Sequence, residues 1–121
     1  MNKEERKARI AEYSMAKRPA GVYRLVHVDS GKSYVGSTVD TDAMKNRLEF
    51  ELNMGFSMKK ALLADWRTYG AEAFRYEVLE RFEPPEHGTY NLMKELESME
   101  AKWLEKLQPY GEFGYNVKPK R

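Results

Sequence analysis

The sequence contains no cysteine, and this absence excludes several kinds of protein. A disulfide framework, a zinc site built from thiolates and catalysis by a thiol all depend on cysteine. Histidine is scarce as well, because His27 and His87 are the only two and are too few for a metal site built from histidines. We expect His27 to be a hydrogen-bonded structural residue of a strand and His87 to be an exposed loop residue.

Long hydrophobic runs are also missing. No apolar stretch approaches the ~20 residues that a membrane-spanning helix needs, and no signal peptide is apparent. The 121 residues are enough for one domain with a core of its own, and 41% of them are hydrophobic. We therefore expect a folded, soluble, cytoplasmic protein that has no contact with a membrane.

Positive charge is concentrated at the two ends of the chain. The net charge is +2, but residues 1–20 carry +3 and the last five residues carry +3, which leaves about −4 on residues 21–116. Basic ends suit a polyanionic partner, although ordinary solvation of chain ends explains them equally well. The candidate nucleic-acid-binding residues are Lys3, Arg6, Lys7, Arg9, Lys17, Arg18, Lys118, Lys120 and Arg121.

The first eighteen residues differ in composition from the rest. They are rich in Lys, Arg, Glu and Ala, which favour helix, but they have only a thin apolar stripe. Arg18 precedes Pro19, and a residue before proline avoids the helical region. We predict a basic helical or flexible arm over residues 1–18, followed by a single domain over residues 19–121 that ends in a short basic tail.

Two β-type runs surround a short connection that contains glycine. Residues 21–28 and 33–38 are the two runs, and Asp29-Ser30-Gly31-Lys32 lies between them. This pattern predicts a β-hairpin. Tyr23 and Tyr34 lie near facing ends of the predicted hairpin, so their two phenols can converge on one patch.

Two helices are predicted after the hairpin. The first lies between Asp40 or Thr41, both acceptable N-caps, and Gly55. The second lies between Ser57, a good cap, and Gly70. Its apolar stripe, expected to pack in the core, consists of Met58, Ala61, Leu62, Trp66 and Tyr69.

A third strand and a third helix complete the predicted elements. In residues 74–82 apolar and charged residues alternate, as in a half-exposed strand, and the apolar positions are Phe74, Tyr76, Val78 and Phe82. Residues 83–88 form a predicted loop. The last helix begins near Thr89 or Asn91. Three short strands interleaved with helices predict an α/β or α+β fold with a small three-stranded antiparallel sheet flanked by helices.

Charged residues at two places on these helices are candidates for a functional site. Arg47 and Glu51 are one helical turn apart, which by itself predicts an ordinary surface ion pair. Glu100 projects beside the apolar stripe of the last helix, where a carboxylate is costly unless it has a partner. A divalent metal or Arg47 could be that partner, and partial exposure at the edge of the stripe is the simpler alternative.

The sequence resembles the GIY-YIG nuclease family in five elements that occur in the family's order. These elements are Gly21-Val22-Tyr23, Tyr34-Val35-Gly36, Arg47, Glu100-Ala101-Lys102-Trp103 and Gly114-Tyr115-Asn116. They span about residues 21–117, nearly the whole chain. The sequence departs from the family at Glu51, where some members have histidine. The family's fold is a small sheet flanked by helices, in agreement with the fold predicted above.

The resemblance implies catalytic roles for five residues. Tyr23 would be the general base toward water, Tyr34 would orient the water or the phosphate, and Arg47 would neutralise charge on the phosphate. Glu100 would hold one divalent metal ion, with Mg²⁺ favoured and Mn²⁺ as the alternative, and Asn116 would support the site. A free phenol has a pKa of ~10, so Tyr23 could act as a base only if nearby cations lowered that pKa.

Two further residues are auxiliary candidates. Glu51 follows Arg47 by one helical turn, and Lys32 lies just before the second strand, where it could contact phosphate. A solvated turn lysine explains Lys32 equally well.

The resemblance implies a metal-dependent endonuclease that hydrolyses phosphodiester bonds in nucleic acid, with DNA as the expected substrate. The short chain suits a stand-alone homing-type, mobile-element or phage-type nuclease, and a restriction-type or repair nuclease is the alternative. A partner protein or a homodimer could supply specificity. Two other classes stay open: a non-catalytic module on the same fold that binds nucleic acid or protein, and a structural or inhibitory interaction protein.

Overall fold

A computed structural model describes residues 19–118 of the protein. Within this range one antiparallel sheet contains β1 (Gly21–His27), β2 (Ser33–Thr38) and β3 (Phe74–Arg81), in the order β2-β1-β3. The helices are α1 (Thr41–Met54), α2 (Lys60–Tyr69) and α3 (Leu92–Leu107). The predicted α+β fold with a three-stranded antiparallel sheet is thus confirmed. The predicted arm over residues 1–18 and the end of the tail lie outside the described residues.

The first two strands form the predicted hairpin. They pair from Gly21 opposite Thr38 to Val26 opposite Ser33. Gly31 closes the turn with a φ of 79°, a left-handed conformation that glycine adopts without steric cost. The hairpin therefore places one edge strand, β2, directly beside the central strand β1.

The caps of α1 and α3 lie where the sequence predicts them. The Asp40 side chain accepts hydrogen bonds from the backbone of Asp42 and Ala43, and so satisfies donors that a helix N-terminus leaves unpaired. Asn91 caps α3 in the same way. In residues 19–118 no helix has the length and apolar character needed to cross a membrane.

The start of α2 differs from the prediction. The helix begins at Lys60, and Ser57 lies upstream, where its Oγ accepts a hydrogen bond from the Lys59 backbone at 3.2 Å. Met58 therefore lies before the helix and is exposed, as are Ala61 and Tyr69 on the helix itself. Of the five residues predicted for the apolar stripe of α2, only Leu62 and Trp66 are buried.

Helices cover the sheet on both faces. On one face, α1 and α2 pack against β1 in a cluster of Leu25, Leu52, Leu62, Trp66 and Tyr115. On the other face, α3 supplies Leu92 and Leu96 to a second cluster with Ala20. Val22 faces this second side, because its partners Ser37 and Glu80 both form hydrogen bonds with α3. As a result β1 is almost wholly buried.

The third strand contains a β-bulge that its sequence pattern does not reveal. Val22 pairs with Glu80 whereas Tyr23 pairs with Val78, so Leu79 is an extra residue in β3. Side chains alternate between the faces of a strand, and one extra residue reverses the facing of those that follow. Glu80 consequently turns toward α3.

The regular alternation predicted for this strand is therefore wrong beyond the bulge. Phe74 and Tyr76 pack against the first cluster, but Phe82 packs against the second. Val78 is exposed.

The two histidines have the environments expected of structural and loop residues. His27 is buried, and its Nδ1 shares a hydrogen bond of 2.6 Å with Ser30 Oγ. Its ring packs between Tyr69 and Phe74. His87 is exposed in the loop that precedes α3.

Candidate active site

The hairpin brings the two predicted catalytic tyrosines together. Tyr23 is paired with Gly36 and Tyr34 with Leu25, so both phenols project from the same face of the hairpin. Their ring centroids are 6.3 Å apart. A Cβ atom at Gly36 would lie 2.6 Å from the Tyr23 hydroxyl. Glycine at this position is therefore what allows Tyr23 to lie across β2.

A third tyrosine, which the sequence reasoning treated only as a strand residue, supports the pair. The Tyr76 ring stacks on Tyr23 with a centroid distance of 5.5 Å. Its hydroxyl donates a hydrogen bond of 2.7 Å to the backbone carbonyl of Thr41, at the first turn of α1. Tyr76 thereby links the tyrosine pair to the helix that carries Arg47.

Asn116 joins the end of the chain to β2 by two hydrogen bonds. Its Oδ1 accepts from the backbone N–H of Val35 and its Nδ2 donates to the Val35 carbonyl, both at 2.8 Å. A bond of 2.9 Å from the Tyr115 N–H to the Ser33 carbonyl runs beside them. An amide side chain can satisfy both backbone groups of one residue in this manner because it carries a donor and an acceptor. Asn116 thus supports the segment between Tyr34 and Gly36.

Glu100 reaches the same segment from α3. Its Oε1 accepts a hydrogen bond of 3.0 Å from the hydroxyl of Ser37, the residue directly after Tyr34-Val35-Gly36. Ser37 was not among the predicted site residues. The sequence gives one indication of its role, namely that Ser37 directly follows the triplet Tyr34-Val35-Gly36. Ser37 lies on the same face of the sheet as its pairing partner Val22.

Two contacts with β3 fix α3 close to Glu100. Trp103 Nε1 donates to Glu80 Oε1 at 2.8 Å, and Lys102 Nζ lies 2.7 Å from the same oxygen. The hydrogen bonds from Lys102 and then Trp103 lower the pKa of Glu80 below its usual range. The β3 bulge makes these contacts possible, since it is what turns Glu80 toward α3.

Arg47 and Glu51 lie on the same side of α1, as predicted. Arg47 Nε donates to Glu51 Oε2 at 3.1 Å. The Arg47 side chain is 70% exposed and that of Glu51 is 20% exposed. The carboxylate is therefore the sheltered partner, and the guanidinium has room for a second anion.

The tyrosine pair lies in surroundings that oppose ionisation. Burial is the main cause of the raised pKa of Tyr23, and Tyr34 and Tyr76 raise that pKa further. Next comes the charge of Glu100, and the opposing effect of Arg47 is the smallest. Both phenols are therefore protonated at neutral pH.

Tyr34 shares this environment. Burial raises its pKa first, followed by the charges of Glu100 and Glu51. The charge of Glu100 thus acts on both tyrosines, whereas that of Glu51 acts on Tyr34.

The predicted basic contacts are only partly within the described region. Lys32 lies in the hairpin turn and is half-buried, and Lys118 is exposed at the end of that region. A cation that was not predicted, Lys59, has its Nζ 4.9 Å from the centre of the Tyr34 ring. The other basic candidates, in residues 1–18 and 119–121, lie outside the described residues.

Comparison with solved structures identifies the fold. The catalytic domain of the homing endonuclease I-TevI superposes with a TM-score of 0.67 at 24% sequence identity, covering 83% of this chain and 99% of that domain. A point mutant of the catalytic domain of the intron endonuclease I-TevI gives a TM-score of 0.69 at 20% identity, covering 85% and 97%. The chain has the fold of the I-TevI catalytic domain.

The resemblance derived from the sequence is thus confirmed at the level of the fold. The I-TevI-like fold accounts for nearly the whole described region. A scan against protein-family models finds no match, and a search of curated proteins finds none either.

Proposed function

We propose that the protein is an endonuclease that hydrolyses phosphodiester bonds in nucleic acid, with DNA as its substrate. One observation supports this proposal: the rings of Tyr23 and Tyr34 lie 6.3 Å apart on the hairpin, within reach of the charges of Arg47 on α1 and Glu100 on α3. The charges of Arg47 and Glu100 both act on the Tyr23 hydroxyl. Phosphodiester hydrolysis needs an activated water, charge stabilisation on the phosphate and a stabilised leaving oxygen, and hydroxyls, a guanidinium and a carboxylate that holds a cation can supply these.

The carboxylate of Glu100 suits a divalent cation that is also bound by the substrate. Glu100 is half-buried, and Ser37 orients its Oε1. Among residues 19–118 no cluster of three or more His, Cys, Asp or Glu side chains could hold a metal ion. Mg²⁺ is commonly held by one or two carboxylates together with waters and phosphate oxygens. A single carboxylate therefore fits Mg²⁺, or Mn²⁺, better than a metal that needs an all-protein cage.

A cation held by Glu100 would supply positive charge to the phosphate and would lower the pKa of hydroxyls beside it. The chain's own residues perform the other tasks. Arg47 binds a non-bridging phosphate oxygen with the exposed part of its guanidinium, while Glu51 holds its Nε. Tyr34 orients the phosphate or the attacking water through its hydroxyl. Asn116 keeps β2, and hence Tyr34, in position.

Tyr23 begins the reaction as a neutral phenol, because burial raises its pKa. In this state it donates a hydrogen bond to the attacking water or to a phosphate oxygen. The role of general base, which the family resemblance implies, requires positive charge near the hydroxyl to outweigh burial and the effects of Tyr34, Tyr76 and Glu100, all of which raise the pKa of Tyr23. Arg47 supplies part of that charge.

The biological class that we favour is a stand-alone homing-type or mobile-element nuclease. Its support is that the two solved structures compared above are catalytic domains of an endonuclease described as a homing endonuclease or an intron endonuclease. A restriction-type or repair nuclease would use the same site and differ in the nucleic acid that it selects.

The experiment that tests this proposal is a cleavage assay on supercoiled plasmid and on labelled RNA with the full chain. We expect Mg²⁺ to support DNA cleavage, EDTA to stop it, and mapped ends to show hydrolysis of a phosphodiester bond. If the protein binds DNA but none of several divalent cations supports cleavage, it would instead be a binding module on the same fold.

A further inference from the structure

Four large apolar side chains are exposed around the turn between α1 and α2. Phe50 is 58% exposed, Met54 63%, Phe56 54% and Met58 87%. We call these four residues the α1–α2 corner. Of the exposed large apolar side chains in residues 19–118, no other such group lies within so short a stretch of sequence. A concentration of this kind marks a surface that contacts another molecule.

Gly55 reverses the chain and so brings the two aromatic residues of the corner together. Gly55 ends α1 with a φ of 81°, and the backbone N–H groups of Gly55 and Phe56 both donate to the Glu51 carbonyl. This return brings the Phe56 ring to 5.5 Å from that of Phe50, at an interplanar angle of 71°. Met54, one turn after Phe50, lies on the same side of α1.

Cations lie on the α2 side of the corner. Lys59 and Lys60 directly follow Met58, whereas Glu49 and Glu51 flank Phe50 on α1 and the Glu51 carboxylate is paired with Arg47. The guanidinium of Arg67 lies against Gly55, at the position that a Cβ atom there would occupy. A polyanion that runs along the α2 side therefore matches the corner better than a protein with a neutral apolar face.

Lys59 connects the corner with the candidate active site. It directly follows Met58, and its Nζ lies 4.9 Å from the centre of the Tyr34 ring. A strand that leaves the tyrosine pair can therefore contact Lys59 with a phosphate before it reaches the corner.

Building on the proposed function, we propose that the α1–α2 corner binds unpaired nucleotides of the nucleic-acid strand that passes through the active site. Their bases stack on Phe50 and Phe56, and a phosphate contacts Lys59. Aromatic side chains stack on the faces of bases, and those faces are open only where the nucleotide is unpaired. The corner thus makes the enzyme selective for DNA with a locally unpaired segment.

Binding to two DNA duplexes tests this preference. One labelled mixed-sequence duplex carries an unpaired bulge, and the other is fully paired; fluorescence anisotropy with the full chain is measured in metal-free buffer. We expect Phe50→Ala/Phe56→Ala to weaken binding of the bulged duplex about tenfold or more and that of the paired duplex only slightly. Equal losses on both duplexes, or no loss on either, would overturn the proposal.

Two matched pairs of variants control for unspecific effects. Met54 and Met93 are both helical and both 63% exposed, but Met93 lies on α3 away from the corner. Met54→Ala should weaken binding of the bulged duplex and Met93→Ala should not. Lys59→Met should flatten the salt dependence of binding by about one unit of log–log slope, whereas Lys94→Met on α3 should leave it unchanged. The reverse pattern in either pair would contradict the assignment.

Photo-crosslinking identifies the molecule at the corner. With Phe56→p-benzoylphenylalanine in the full chain, irradiation in the presence of the bulged duplex should link the protein to DNA. Crosslinks to residues 1–18 of the same chain, or to a second copy, in place of DNA would show that the corner is covered by protein and would overturn the proposal.

The outcome can be separated from that of the proposed function by measuring cleavage in parallel. If the unmodified protein cleaves DNA and the corner variants bind and cleave as it does, the docking surface alone is wrong. If the unmodified protein binds the bulged duplex through the corner but cleaves nothing under any divalent cation, the nuclease proposal is wrong and the docking surface stands.

Discussion

The two edge strands of the sheet carry polar groups of different kinds. Beside β2, the groups are sheltered and hold one another in defined positions. Asn116 bonds both backbone groups of Val35, and Ser37 bonds Glu100. The tyrosines next to them have raised pKa values because burial disfavours the phenolate. This edge places chemically active groups at some cost in desolvation.

Beside β3, charged groups form ion pairs that are partly exposed. Arg24 and Glu77 lie 3.0 Å apart, with side chains 29% and 31% exposed. Glu80 binds Lys102 and Trp103 of α3. These contacts join elements of the fold to one another. The comparison teaches that similar residue types position a site at one edge and fasten the scaffold at the other.

The largest expected effect is on DNA cleavage, and it distinguishes Glu100 at the β2 edge from Glu80 at the β3 edge. Glu100→Gln should reduce Mg²⁺-dependent DNA cleavage at least about a hundredfold, because the proposed cation would lose its protein ligand, while the protein stays folded by circular dichroism. Glu80→Gln, at the other edge, should lower stability and leave the cleavage rate of the folded protein nearly unchanged. Undiminished cleavage by a folded Glu100→Ala protein would remove Glu100 from the site.

The next effect concerns two arginines that each pair with a glutamate. Arg47→Ala should lower the single-turnover cleavage rate about a hundredfold and affinity for DNA much less, since its contact with phosphate strengthens in the transition state. Arg24→Ala removes a similar ion pair at the β3 edge and should leave the rate unchanged. A proportional loss of affinity and rate in Arg47→Ala would make Arg47 a binding residue only.

Tyr23→Phe gives a related test at the tyrosine pair. The ring keeps its stacking on Tyr76, so the fold should persist while the rate falls about a hundredfold from the lost hydroxyl. Gel-shift binding to DNA should be close to that of the unmodified protein. Full activity would show that the Tyr23 hydroxyl takes no part in the reaction.

A smaller effect is expected on stability at the β2 edge. Asn116→Ala leaves both backbone groups of Val35 without their partners and should cost about 2–4 kcal/mol in the free energy of unfolding. Asn116→Asp keeps an acceptor for the Val35 N–H but places a second carboxylate oxygen against the Val35 carbonyl, so it should also destabilise at neutral pH and recover part of the loss in acid, where a protonated carboxyl can donate to that carbonyl. Urea unfolding at both pH values measures the variants, and a stability of Asn116→Ala equal to that of the unmodified protein would contradict the paired hydrogen bonds.

The smallest expected effects are on the pH dependence of stability, which differs between the two edges. The pKa of Tyr23 is raised in the folded state above its ordinary value of 10.0, so the unfolded chain loses that proton first. The stability linked to Tyr23 is complete below about pH 10 and decreases as pH rises above it. Unfolding measured in metal-free alkaline buffers should show a shallower decrease for Tyr23→Phe than for the unmodified protein.

At the β3 edge the pH dependence of stability has the opposite sign. The pKa of Glu80 is lowered below its ordinary value of 4.5 by the hydrogen bonds from Lys102 and Trp103. Its contribution is therefore present above pH 4.5 and is lost as pH falls through the lower folded value. Glu80→Gln should be less sensitive to acid than the unmodified protein, and an identical acid profile would show that this contact contributes nothing.

Much of the framework follows from the sequence because it depends on neighbours in the chain. The hairpin, the caps Asp40 and Asn91 and the terminator Gly55 all follow from local patterns, and the structure confirms each of them. The convergence of the two tyrosines follows from the same local pattern.

Tertiary structure alone decided how the remaining groups meet. The bulge at Leu79 lets β3 pair with β1 and also present Glu80 to α3, and the residue pattern within the strand does not reveal it. Lys59 lies over Tyr34, and Asn116 bonds Val35 across 81 positions of sequence. Likewise, the pKa of Tyr23 is raised by burial, where the sequence suggested only that cations would have to lower it. Local backbone preferences act between residues near in sequence, whereas burial, charge and hydrogen bonding act between residues near in space, and only the folded chain defines that second set of neighbours.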